Sequence, residues 1–100
     1  MKVSVIKVGN RFSPNQRRYL DSRDLCLMPG SVERLVTQLD LATLTNDQCL
    51  EREGQPYLVA IEQEHATYLI RLTLPSYKVP EALARLVWLV NSMGTLVNSG

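Results

Sequence analysis

The stretch that decides the fold reads Thr67-Tyr68-Leu69-Ile70-Arg71-Leu72-Thr73-Leu74. Every second side chain in it is apolar, and this period of two is typical of a half-buried β-strand. Pro75 follows directly and ends the strand, because proline cannot donate a hydrogen bond to a strand ladder. An apolar run at 57–62 precedes it, so the sequence predicts a β-hairpin over 57–74 that turns around Gln63-Glu64-His65.

A further strand and several helices are predicted around this hairpin. Residues 2–8 are rich in Val and Ile and end at Gly9-Asn10, which indicates a strand closed by a turn. Four other segments carry helix signals, namely a capping residue, a proline at the first helical position or apolar residues at helical spacing. These segments are 14–20 behind Ser13, 32–41 behind Ser31, 46–53 behind Thr45, and 80–93.

These segments predict an α+β fold. The expected architecture is a small single-layer antiparallel sheet, made of the N-terminal strand and the 57–74 hairpin, packed against three to four helices. With 100 residues, 45% of them hydrophobic, the chain is long enough for one core, so 1–100 is predicted to be a single domain. Within it, 80–97 is predicted to form a C-terminal amphipathic helix.

The charged residues are unevenly distributed along the chain. Residues 1–34, the basic head, carry seven basic and three acidic side chains, whereas residues 35–66, the acidic middle, carry one basic and six acidic side chains. The whole chain has a net charge of only +1. The basic head and the acidic middle can attract each other within one molecule or between two copies of the chain, or each can attract a partner of opposite charge.

The sequence also predicts a compartment. Lys7 interrupts the first apolar stretch, so no signal peptide is expected, and the apolar run 83–96 is shorter than the ~20 residues that span a bilayer. We therefore expect a cytoplasmic protein that does not cross a membrane. Cys26 and Cys49 are expected to be buried free thiols, with a single disulfide between them as the alternative.

The C-terminal helix carries an aromatic residue on its polar side. Positions 81, 85, 88 and 92 form one stripe of a helix, and Trp88 lies there among Glu81, Arg85 and Ser92. Either Trp88 covers a neighbouring strand with its indole N–H in solvent, or it anchors a partner surface, as interface tryptophans often do. The second interpretation predicts a protein interface, with a second copy as the expected partner because two-fold dimers are the commonest oligomers. Its residues are Trp88, Arg85, Leu89 and Leu96.

The basic head concentrates guanidinium groups and aromatic rings between residues 11 and 23. These groups could meet an acidic protein partner. They could also contact the phosphates and bases of a nucleic acid, which is the alternative function. The predicted anion or nucleic-acid contacts are Arg11, Arg17, Arg18, Tyr19 and Arg23.

Motifs for catalysis are missing from the sequence. It contains no P-loop, no dinucleotide-binding glycine pattern and no nucleophile elbow, and its one His and two Cys lack the spacing of zinc ligands. Glu62, Glu64 and His65 cluster only at the hairpin tip, which is solvated and lacks the burial that an active site uses to tune its catalytic groups. We predict no catalytic residue, metal or cofactor. The predicted function is a small non-enzymatic interaction or regulatory module that acts through an apolar, Trp-containing surface as a homodimer.

Overall fold

The chain forms one antiparallel sheet and a small set of helices. A computed structural model describes residues 1–23, 30–46 and 50–97. Its strands are β1 Lys2–Lys7, β2 Gln16–Asp21, β3 Gln55–Glu62, β4 Thr67–Leu74 and β5 Thr95–Val97. Its helices are α1 Ser31–Thr37, α2 Leu41–Asn46 and α3 Glu81–Met93. The strands lie in the order β4-β3-β1-β2-β5, and each pairs antiparallel with its neighbours.

The core lies between one face of the sheet and the helices. Val3 of β1 is opposite Leu20 of β2 and Ile61 of β3, and all three side chains are buried. Helix α3 contacts β1 and β2, α1 packs beside α3, and α2 contacts β4. The buried helix residues are Val32, Val36, Leu44, Ala82, Leu83, Leu86, Val87 and Val90.

The predicted three-stranded sheet was wrong: the described residues of this small α+β fold form a five-stranded antiparallel sheet, and they form three short helices where four helical segments were predicted. The segment predicted as a helix over 14–20 is strand β2. Ser13, the predicted helix cap, lies in the β1–β2 connection, where its N–H donates to Asn10 Oδ1 at 3.0 Å. Strand pairing with β1 buries Leu20 in the core, which a short polar helix would not do.

Helix α2 lies earlier in the chain than the helix predicted over 46–53. The Asp40 carboxylate accepts hydrogen bonds from the Thr43 N–H at 3.3 Å and from the Thr43 hydroxyl at 2.8 Å, and so occupies the capping position. These bonds lower the pKa of Asp40. Thr45, the predicted cap, lies inside α2 and donates its hydroxyl to the Leu41 carbonyl at 2.7 Å. Of the helix predicted over 46–53, residues 47–49 lie outside the described residues, and residues 50–53 are not helical.

The helix signal over 80–93 corresponds to α3, whereas the longer helix predicted over 80–97 does not form. Helix α3 ends at Met93, and after Gly94 the chain continues as β5, which pairs with residues 17–19 of β2. Cys26 and Cys49 lie outside the described residues, so the structure does not test whether they are paired. None of the helices in the described ranges is long and apolar enough to cross a membrane.

Candidate functional site

Helix α3 places Trp88 on the surface of the protein. The opposite side of the helix supplies five buried side chains, so the helix can turn only one side to water. Glu81, Arg85, Trp88 and Ser92 are all exposed, as the helical spacing predicts. The Trp88 side chain is 67% exposed. It is therefore a large aromatic ring that the described part of the chain leaves mostly in water.

An apolar groove lies beside this ring. Its lining residues are Ser31, Leu35, Arg85, Trp88 and Leu89, and its volume is ≈ 420 Å³. We call this set the Trp88 groove. It exists because α1 packs against α3, which brings Leu35 of one helix next to Leu89 of the other. Both leucines are half-buried and pack against the core, so they form a firm floor for a bound group.

The rim of the Trp88 groove carries one ion pair. Arg85 Nη2 lies 2.6 Å from Glu81 Oε1, one helical turn away. Both side chains are well exposed, so the pair contributes little to stability. The aliphatic stem of Arg85 lines the groove beside this ion pair.

Leu96 is not part of this groove. Sequence reasoning placed it on the same helix as Trp88, but the structure places it on β5, at the edge of the sheet. It lies opposite Arg18 of β2 and is 46% exposed. Of the four predicted interface residues, the structure brings Arg85, Trp88 and Leu89 together and separates Leu96 from them.

The arginines of the basic head lie on different surfaces. Arg17 and Arg18 are neighbours on β2, and successive side chains of a strand point to opposite faces of the sheet. Arg18 is on the face that carries the core, where its Nη1 donates to the Gly94 carbonyl at 3.3 Å. Tyr19 is on the other face with Arg17, and its ring centroid lies 4.7 Å from Lys2 Nζ.

The remaining two arginines have local partners. Arg23 forms two side-chain hydrogen bonds to the Asp21 carboxylate, at 3.0 and 3.2 Å, and its backbone N–H donates to the same group. These bonds lower the pKa of Asp21 from 3.8 to about 2. Arg11 Cζ lies 6.0 Å from the Phe12 ring centroid in the β1–β2 connection. The predicted contact residues therefore do not form one continuous basic surface.

A second, polar cavity lies at one end of the sheet, beside the C-terminal end of α3. Its volume is ≈ 230 Å³, and its lining residues are Lys7, Gln16, Arg18, Tyr57 and Asn91. We call this set the basic cleft. Lys7 is opposite both Gln16 and Tyr57 in the strand register, so the sheet itself assembles three of its walls.

The hairpin tip is exposed to solvent. Glu64 and His65 are 88% and 90% exposed, and His65 Nε2 lies 4.0 Å from Glu64 Oε1. In the part of the chain that the structure describes, no three His, Cys, Asp or Glu side chains are grouped closely enough to hold a metal ion.

Sequence reasoning missed Leu35 and four of the five residues of the basic cleft. Leu35 follows the helical spacing of the buried residues Val32 and Val36, and such spacing does not show that it borders a groove. The cleft residues come from three strands and a helix, and only the strand register makes them neighbours. Comparison with known proteins found no matching family model, no similar curated protein and no similar solved structure.

Proposed function

We propose that this protein is a small protein-binding module that pairs with a second copy of itself through the Trp88 groove. The observation that carries the proposal is a tryptophan 67% exposed beside an apolar groove of ≈ 420 Å³. Burial of an aromatic ring this large is among the strongest single contributions to a protein interface. Trp is also enriched among the residues that dominate binding energy. A partner that covers the ring gains this contribution.

A second copy suits this surface because the same patch carries a projecting ring and a groove. In a two-fold interface a patch meets itself, so each Trp88 ring can enter the other copy's groove between Leu35 and Leu89. The rim carries one charge of each sign, on Glu81 and Arg85. The chain has a net charge of only +1. Long-range repulsion between copies is therefore weak, and the patch offers no strong field to a highly charged partner.

The proposed role is binding without catalysis, in the cytoplasm. The acidic partner and the nucleic acid predicted for the basic head do not enter this proposal. Both were predicted to use the basic residues between 11 and 23 as one surface, and strand geometry directs two of them, Arg17 and Arg18, to opposite faces of the sheet.

The test is analytical ultracentrifugation of the wild-type protein and of Trp88→Ala over a wide dilution series. We expect a wild-type dimer that dissociates on dilution, with the emission of the single tryptophan shifting to the red as the ring enters water. A hot-spot residue contributes about 2 kcal/mol or more, and a two-fold interface holds two copies of it. Trp88→Ala should therefore raise the dimer dissociation constant about 1000-fold.

Tyr77→Ala is the matched control. Tyr77 is another strongly exposed aromatic residue, 91% exposed, and it does not line the groove. We expect its removal to leave the dissociation constant unchanged. A wild-type protein that is monomeric at every concentration would contradict the proposal. So would a dimer that Trp88→Ala and Tyr77→Ala weaken equally.

A further inference from the structure

The basic cleft collects hydrogen-bond donors and positive charge, and none of its described lining residues is acidic. Its five lining side chains supply one ammonium, one guanidinium, two carboxamides and one phenol, and each of these groups can donate a hydrogen bond. Among the described residues, no Asp or Glu lines the cavity. The cleft therefore presents a local positive potential on a protein that is almost neutral overall.

Lys7 and Arg18, the two cations of the cleft, keep most of their N–H groups available to bind an anion. Arg18 uses Nη1 for the Gly94 carbonyl, at 3.3 Å. That bond anchors one side of the guanidinium and leaves the N–H groups on its other side available for a two-pronged contact. Lys7 is exposed and forms no ion pair with any residue in the described ranges.

The C-terminal end of α3 repels an anion in the basic cleft, but this repulsion is weaker than the attraction from the two cations of the cleft. Asn91 belongs to the last turn of this helix, where the macrodipole is equivalent to roughly half a negative charge. Lys7 and Arg18 bring two full positive charges to the same place. The balance remains positive, and the Asn91 carboxamide adds a donor that can point into the cavity.

We propose that the basic cleft binds a small phosphorylated ligand through its phosphate group. A guanidinium fork and an ammonium are the side chains that most often hold phosphate in proteins. The volume of ≈ 230 Å³ lies below the range usual for pockets that enclose a whole drug-sized ligand, so it suits the phosphate and little more. A neighbouring cavity of ≈ 160 Å³ shares Lys7 and Gln16 with the cleft and leaves room for the rest of a small ligand.

The test compares four variants that each remove one positive charge. Arg18→Gln and Lys7→Gln change the cleft, whereas Arg17→Gln and Lys2→Gln change the same two strands on the opposite face of the sheet. Inorganic phosphate and pyrophosphate are titrated into each protein at low salt. Binding is followed by NMR shifts of backbone amides and of the Asn91 side-chain amide, and by calorimetry.

We expect the wild-type protein to bind pyrophosphate more tightly than phosphate, with the largest shifts around the cleft. Each cleft variant should weaken binding about tenfold, as the loss of one charged hydrogen bond implies. The two opposite-face variants should retain wild-type affinity. Lys7→Gln removes no hydrogen bond of the fold, so it tests the site even if Arg18→Gln impairs folding. Equal losses in all four variants, or no binding by the wild-type protein at low salt, would overturn the proposal.

Discussion

Two residues on α3 should respond very differently to truncation to alanine. Leu86 is fully buried, whereas Trp88, two positions further along, is 67% exposed. The two changes test whether α3 presents Trp88 to solvent, which the proposed interface requires. They also separate the stability of the monomer from its association.

The expected magnitudes follow from burial. Truncating a fully buried leucine typically costs about 2–5 kcal/mol of unfolding free energy, because a cavity is left behind. A fully buried tryptophan hides up to about 250 Å², and about one third of that is covered here, which at about 25 cal/mol per Å² is about 2 kcal/mol at most. Alanine keeps part of this contact and is a better helix former than tryptophan. Trp88→Ala should therefore cost about 1 kcal/mol, and Leu86→Ala about three times as much.

Urea denaturation followed by far-ultraviolet circular dichroism measures both values. The protein must be dilute enough to be monomeric, because dimerisation adds to apparent stability. The urea dependence of the unfolding free energy should be the same in all three proteins, so that midpoints report stability alone. If Trp88→Ala costs as much as Leu86→Ala, Trp88 belongs to the monomer core and the interface proposal fails.

Two further predictions concern the backbone and pH. Gly54 has φ +109°, and a Cβ there would lie 2.7 Å from the Leu74 carbonyl oxygen. We expect Gly54→Ala to lower the urea midpoint more than Gly30→Ala, since Gly30 also has positive φ but no atom of the described residues lies within 4 Å of its Cβ position. Arg23 lowers the folded-state pKa of Asp21 from 3.8 to about 2. The ionised Asp21–Arg23 pair therefore stabilises the fold above pH 4, and this stabilisation is lost as the pH falls towards 2. Arg23→Gln should flatten the stability profile in this window, and an unchanged acid slope would show that the pair contributes nothing.

Local sequence patterns predicted strands and helices correctly where the same side chains that form the pattern are buried by the tertiary packing. The alternation at 67–74 and the proline after it correspond to strand β4, and the helix signal at Pro80-Glu81 corresponds to the start of α3. The exposed stripe with Trp88 also follows from helical spacing alone, because a helix can bury only one side. These features depend on neighbours in the sequence.

Strand β2 shows where local patterns failed. Residues 16–21 contain one fully buried side chain, Leu20, and a helix-capping signal precedes them, so nothing nearby indicates a strand. The strand forms because β1 offers a partner along its whole length and because a hydrogen-bonded turn at Asn10 brings the two segments together. The wrong helix prediction also affected the predicted anion-binding surface, because a helix would have kept Arg17 and Arg18 on adjacent parts of one surface.

The sequence by itself determined an α+β chain, a helix with a tryptophan on its polar side, and an uneven distribution of charge. Tertiary structure alone decided that Leu35 meets Leu89 beside Trp88, that Leu96 lies elsewhere, and that Arg18 joins Lys7 in a cleft while Arg17 does not. The physical reason is the range of the interactions. Helical and strand periodicity act over a few residues, whereas helix packing and strand register join segments that are far apart in the chain and depend on the whole core.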